Sequence, residues 1–159
     1  LVTQVTTNIS SLSEIASYFS IDSISFLDVS SRDEAITQLV ENLAQKKGLQ
    51  GKDEFLQAVL DREQIASTGI GMGVAIPHAK LSIYNDFFIT VGILKNGIHW
   101  DSMDHLPVKL ILLIGGPDDR QTHYLKLLSQ LTLHLRNEET RKKLLTLTAP
   151  EQIIQIFES

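Results

Sequence analysis

Ser67-Thr68-Gly69-Ile70-Gly71-Met72-Gly73-Val74-Ala75-Ile76-Pro77-His78 is the stretch whose residue types and spacing could do chemistry. Three glycines alternate with larger residues, so the backbone can bend tightly there or come close to a bulky group. A nucleotide-binding loop is excluded. The spacing is G-x-G-x-G, the third glycine of a dinucleotide fingerprint is missing, Pro77 stands where a helix would have to start, and no P-loop lysine follows. Two readings remain from these residues alone. In one, the glycines serve a tight turn and close strand packing, and His78 is an ordinary residue after a strand. In the other, Pro77, with a fixed φ and no N–H to offer a neighbour, marks a strand end and sets His78 rigidly at the rim of a sheet. Open α/β folds meet their ligands at such rims, and a rigid, exposed imidazole is a competent nucleophile.

The chain has 159 residues and no cysteine, which excludes disulfides, zinc-thiolate sites, iron-sulfur clusters and thiol nucleophiles. The five histidines therefore carry the weight of any nucleophilic chemistry. His99 falls in an expected hairpin and His105 in the loop after it. His134 sits near the C-terminal end of an expected helix, where a cation is favoured. A metal site from His78, His123 and Asp118 or Asp119 is conceivable, but no H-E-x-x-H-like ligand spacing supports it. A net charge of −5 argues against broad attraction to nucleic acid. The longest clean apolar run, Leu110 to Ile114, is far short of the roughly 20 residues that a membrane span needs. The N-terminus lacks the basic flank and apolar core of a secretory signal, so a cytoplasmic location is expected.

The elements that must position these residues follow from periodicity and caps. Ser11 and Glu14 have capping-box spacing for a short helix over Leu12 to Phe19. Ser31 and Glu34 open a second, with Ala35, Ile36, Leu39, Val40, Leu43 and Ala44 on one face and Gly48 to end it. A third, from about Asp53 to Glu63, buries Phe55, Leu56, Val59 and Leu60. Strand character then appears at Val74 to Ile76, Phe87 to Leu94 and Val108 to Ile114. Asn96-Gly97 reads as a tight type I′ turn into Ile98 to Trp100, which makes at least one pairing antiparallel. A long helix over Asp119 to Arg136 follows, with Leu125, Leu128, Leu131 and Leu135 on one stripe. Helices at Glu138 to Leu145 and Pro150 to Phe157 close the chain, the last with Thr148 as N-cap and Pro150 in its first turn. No repeat or linker divides residues 1–159, so one α/β domain is expected, a mixed central sheet flanked by helices on both faces in a three-layer sandwich.

The run from Asp61-Arg62-Glu63 through Ser67-Thr68-Gly69 to Ile76-Pro77-His78-Ala79 resembles the signature of the fructose/mannitol-type enzyme IIA domains of the bacterial phosphoenolpyruvate-dependent sugar phosphotransferase system, including their nitrogen-regulatory branch. Gly97-Ile98-His99-Trp100-Asp101, the strand Val108 to Ile114 and Gln121-Thr122-His123 extend the likeness over nearly the whole chain. The resemblance implies that His78 accepts a phosphoryl group from the phosphohistidine of a small phosphocarrier protein and passes it to a IIB-type acceptor, with no metal or organic cofactor. It implies a second active-site histidine at His123, in the first turns of the long helix, and an Arg62 that reaches toward the phosphate. Thr68 is a candidate hydroxyl donor, and the backbone N–H groups between Gly69 and Gly73 are further candidates. The regulatory branch implies an alternative: a module whose phosphorylation state controls its grip on partner proteins, without transport of sugar.

Overall fold

The computed structural model describes residues 14–146 and 151–158. Six strands form one mixed sheet: β1 (Phe19–Leu27), β2 (Gly69–Gly71), β3 (Val74–Ala75), β4 (His78–Lys80), β5 (Phe88–Ile98) and β6 (Val108–Gly116). The helices are α1 (Arg32–Lys47), α2 (Lys52–Ile65), α3 (Gln121–Arg136), α4 (Glu138–Leu145) and α5 (Gln152–Glu158). Residues 14–18 form a further helical segment leading into β1. Strand order is β1-β5-β6-β3-β2, with β4 also on β6. β1 runs parallel to β5, β5 antiparallel to β6, and β3 and β4 parallel to β6.

The expected sandwich is formed, and β6 shows why. Its side chains alternate between two apolar layers. Leu110, Leu112 and Ile114 meet Tyr124, Leu127, Leu131 and Leu135 of α3, Leu144 of α4 and Phe157 of α5. Ile111 and Leu113 meet Ala35, Ile36, Leu39 and Val40 of α1 and Phe55 and Val59 of α2. A strand covered on both faces reads as one continuous apolar run, and each large side chain so buried contributes about 1.5–3 kcal/mol. α1 begins and ends as its caps dictate. Ser31 Oγ accepts from Glu34 N at 3.2 Å, and Gly48, at φ 71°, donates its N–H to Ala44 O at 2.9 Å.

Expectations at three places are corrected. Asn96-Gly97 is no hairpin turn: β5 runs through both residues to Ile98, and the register with β6 slips between the pairs Ile93–Leu110 and Ile98–Val108. Gly97 is required by crowding, since a Cβ there would lie 2.8 Å from Pro107 Cβ. The type I′ geometry occurs instead at Met72 (φ 60°) and Gly73 (φ 77°), between the paired residues Gly71 and Val74. β1 was not expected at all. Helix stops at residue 18, and the serine-rich strand that follows is stabilised by its long-range parallel pairing with β5, which local pattern does not reveal. On α3 the buried stripe is Tyr124, Leu127, Leu131 and Leu135, and Leu125 faces solvent at 55% exposure. The expected start of the first helix, and the Thr148 and Pro150 cap of the last, lie outside the described residues.

Candidate active site

β3, Ile76-Pro77 and β4 form one extended line beside β6. The pairs Val74–Leu110, Ala75–Ile111, His78–Ile114, Ala79–Gly115 and Lys80–Gly116 keep a single register. Pro77 brings no N–H to this ladder, but its carbonyl accepts from Ile114 N at 3.0 Å. Alternation then fixes which face each side chain takes. Ala75 and Ala79 pack toward α1 and α2, whereas Val74 and Ile76 pack toward α3. His78 and Lys80 continue the α3 face past the end of its apolar layer, and there they meet the start of α3.

Tyr124 is the contact between them. The His78 ring lies 5.6 Å from the Tyr124 ring, and Lys80 Nζ sits 4.5 Å from the same ring's centroid while donating to the Gln121 side-chain carbonyl. Phe87 stacks on Tyr124 at 6.1 Å and packs on His123 at 5.0 Å, so both histidines occupy the rim formed by α3's first turn.

His78 Nδ1 is 2.8 Å from Ile76 O. A carbonyl only accepts, so Nδ1 carries the ring hydrogen and Nε2 holds the lone pair. Burial pushes the pKa of this imidazole below its usual value, and the charges of Arg62 and Lys80 push in the same direction, against the Ile76 carbonyl and Glu63. The ring is therefore kept neutral near pH 7 with one nitrogen, Nε2, able to attack.

The remaining expected site residues are distributed unevenly around it. Arg62, in the last turn of α2, donates from Nη1 to Ala66 O at 2.8 Å, and its charge acts on both His78 and Tyr124. Thr68 is buried, and its hydroxyl hydrogen is committed to Glu63: Oγ1 donates to Glu63 Oε1 at 2.5 Å and N donates to Oε2 at 2.6 Å. Its carbonyl accepts from Ile76 N at 3.0 Å, which ties segment 66–68 to the strand that carries His78. Two of the backbone N–H groups between Gly69 and Gly73 have partners of their own. Gly69 N donates to Ser67 Oγ and Met72 N to Asp104 Oδ2, and the Met72-Gly73 turn lies roughly 16 Å up the strand from His78 at about 3.3 Å per residue. His123 Nε2 lies 2.9 Å from the Tyr18 hydroxyl and 3.0 Å from Glu14 Oε1.

Two residues around His78 were missed by sequence reasoning. Lys80 stands two positions beyond His78, and strand alternation alone puts it on the same face. Glu63 is 2% exposed, and its signal was its place in the i, i+4, i+8 series Phe55, Val59, Glu63 on a buried helix stripe. Of the other histidines, exposed His99 pairs with Asp101 at 3.0 Å, and His105 sits in a loop at φ 61°. His134 corrects an expectation: burial, with its ring against Phe157, lowers its pKa and disfavours the cation that its helix position suggested. Among the described residues no cluster of three or more metal-ligating groups occurs, and no helix is long and apolar enough to cross a membrane.

The mixed six-stranded sandwich superimposes on solved phosphotransferase IIA domains. The nitrogen regulatory protein IIA-Ntr of Neisseria meningitidis superimposes with a TM-score of 0.83 at 23% identity, over 91% of this chain and 99% of that one. The mannitol IIA of Escherichia coli, solved in complex with phosphorylated IIB, superimposes with a TM-score of 0.71 at 19% identity, over 87% of this chain and 97% of that one. The chain belongs to the phosphoenolpyruvate-dependent sugar phosphotransferase system EIIA 2 family, whose model matches residues 17–159. It is 30% identical to the fructose-specific EIIA component of Haloferax volcanii, over 92% of this chain and 96% of that protein. It is 34% identical to the nitrogen regulatory protein of Bradyrhizobium diazoefficiens, over 74% and 76%. Against the fructose-specific EIIABC component of Bacillus subtilis it is 34% identical over 79% of this chain, and the match spans 20% of that longer protein.

Proposed function

We propose that His78 Nε2 attacks the phosphorus of a phosphohistidine on a carrier protein, forming a new N–P bond as the donor's N–P bond breaks, and later yields the group to a IIB-type acceptor by the same exchange. The observation that carries this reading is the Nδ1 hydrogen bond to Ile76 O, which leaves Nε2 as the nitrogen bearing the lone pair. Phosphoryl transfer is mainly positioning and neutralisation of charge on the moving oxygens. Arg62 and Lys80 supply cations beside His78, and His123 stands at the start of α3, where an anion is favoured by about 0.3–1 kcal/mol. Thr68 acts through Glu63, holding the segment next to His78. No step needs a metal or organic cofactor.

Incubation with phosphorylated carrier protein, followed by mapping, is expected to place an acid-labile phosphoryl group on Nε2 of His78 and to find none in His78→Ala. Acid-labile label that persists in His78→Ala, or label on Nδ1, overturns the assignment. A regulatory role is supported by the 34% identity to a nitrogen regulatory protein. Affinity capture with the unphosphorylated and phosphorylated protein separates the two. A partner retained by one form alone favours regulation, whereas removal of the phosphoryl group by a IIB protein with no form-dependent partner favours transport.

A further inference from the structure

The helical segment 14–18 reaches the rim through two side chains to which sequence reasoning assigns no part in the chemistry, Glu14 serving there only as a capping residue. Glu14 Oε1 and the Tyr18 hydroxyl both lie within 3.0 Å of His123 Nε2, and the Tyr18 hydroxyl donates to Glu14 Oε1 at 2.8 Å. The directions of these bonds are determined. Tyr18 has one hydroxyl hydrogen, and Glu14 takes it, so toward His123 the phenol oxygen can only accept. A carboxylate oxygen also only accepts. His123 Nε2 therefore faces two acceptors and must carry a hydrogen. Burial, followed by the bond to Glu14, holds the Tyr18 phenol well above its ordinary range, which keeps that hydrogen in place. Phe87 supports the ring at 5.0 Å and the Tyr18 ring at 5.7 Å, so histidine, tyrosine and phenylalanine form one packed unit. The other charged groups that face this unit are Asp86 and Arg120, and Lys126 on α3 itself.

We infer that Glu14 and Tyr18 are positioning residues for phosphoryl transfer: they hold His123 with a hydrogen on Nε2 and so make Nδ1 the nitrogen that meets the transferring group. This rests on the proposed role of His123 and adds to it the atom and the cause. A ring held in this way donates to a phosphoryl oxygen only from Nδ1, and only when both nitrogens carry hydrogens; Glu14 then supplies the counter-charge. The same logic orients the imidazole of a hydrolase triad, in which a carboxylate fixes the tautomer and stabilises the doubly protonated ring.

Nitrogen NMR of the His123 ring in the unphosphorylated protein, combined with single-turnover transfer from phosphorylated carrier, tests the inference. The wild-type ring is expected to show one tautomer with the hydrogen on Nε2, and Glu14→Gln or Tyr18→Phe to mix the tautomers. Glu14→Gln is expected to slow transfer about tenfold, the size of one charge-assisted hydrogen bond, and Tyr18→Phe about threefold. Added to His123→Ala, Glu14→Gln should slow transfer no further, because its effect passes through the missing ring. The inference is overturned if Glu14→Gln leaves the ring spectrum unchanged, if it transfers at the wild-type rate, or if it costs the same factor in the His123→Ala background. Mapping the label in the same samples keeps the two questions apart: an unlabelled His78 ends the proposed function, whereas the tautomer measurement needs no phosphate.

Discussion

Removing the Glu63 side chain tests whether a buried carboxylate holds the segment beside His78. Glu63 is 2% exposed and accepts two hydrogen bonds from one residue, the N–H and the hydroxyl of Thr68. Glu63→Ala leaves both donors buried and unpaired, at about 1–3 kcal/mol each, so the loss should fall near 2–6 kcal/mol. Against a typical total of about 5–15 kcal/mol, that is a large fraction of the stability. Glu63→Gln should cost less, about 1–2 kcal/mol, because the Thr68 hydroxyl can turn to accept from the amide while N–H still donates. Thr68→Val removes one donor from the carboxylate and should cost about 1.5–3 kcal/mol. A fully apolar pair, Glu63→Met with Thr68→Val, cannot recover all of the loss, since the backbone N–H of residue 68 stays without an acceptor. Urea unfolding followed by circular dichroism measures each term. Because Ile76 N donates to Thr68 O, transfer to His78 should fall in Glu63→Ala even at temperatures where the protein remains folded. A Glu63→Ala variant within about 0.5 kcal/mol of wild type, the scatter of ordinary surface substitutions, would refute the reasoning.

Lowered imidazole pKa values set the pH dependence: between the lowered value and the ordinary 6.5 the unfolded chain binds a proton that folded His78 does not, so stability rises with pH through that window and levels off above it. His134 acts in the same direction, so His78→Gln and His134→Gln should each flatten part of the slope in denaturation series from pH 5 to 8, and an unchanged slope in the double variant would contradict this. Gly116→Ala drives a Cβ into the Phe87 ring, which supports both Tyr124 and His123; a loss of about 1–3 kcal/mol with slowed transfer is expected by thermal unfolding and single-turnover assay. Met72→Asn relieves a positive φ of 60° and creates the Asn-Gly pair that type I′ turns favour. It should stabilise by about 0.5–1 kcal/mol in urea titration and leave transfer unchanged.

The sandwich was legible because its layers are periodic. The face of α1 and the run of β6 could be assigned from spacing alone, since burial selects apolar residues at fixed intervals. β1 was hidden because a strand held by one parallel neighbour and spelled Phe-Ser-Ile-Asp-Ser-Ile-Ser-Phe-Leu carries no strong local preference. Asn96-Gly97 misled because a glycine can answer to crowding as well as to dihedral need, and only the position of Pro107 decides which. Within the candidate site, the string ending in Pro77-His78 marked the imidazole, while Lys80 and Glu63 were readable in principle from strand and helix periodicity. Glu14 and Tyr18 were not: their meeting with His123 joins residues more than 100 positions apart along the chain, and nothing local announces it.

In the proposed transfer, burial and the neighbouring cations at His78 act together beforehand and oppose each other afterwards. Desolvation and the cations Arg62 and Lys80 disfavour a protonated ring, which preserves the Nε2 lone pair needed for attack. Once a phosphoryl group arrives it brings about −1.5 to −2 charges, and the same two cations face an anion. Glu63, the carboxylate whose charge acts on His78, is buried and accepts both donors of Thr68, so it does not reach for the cations. The chain's net charge of −5 therefore says little about this rim. In that proposed transfer an acidic exterior suits encounter with a basic carrier, whereas Arg62 and Lys80 make the immediate surroundings of the imidazole suit the phosphoryl group that such a carrier would deliver.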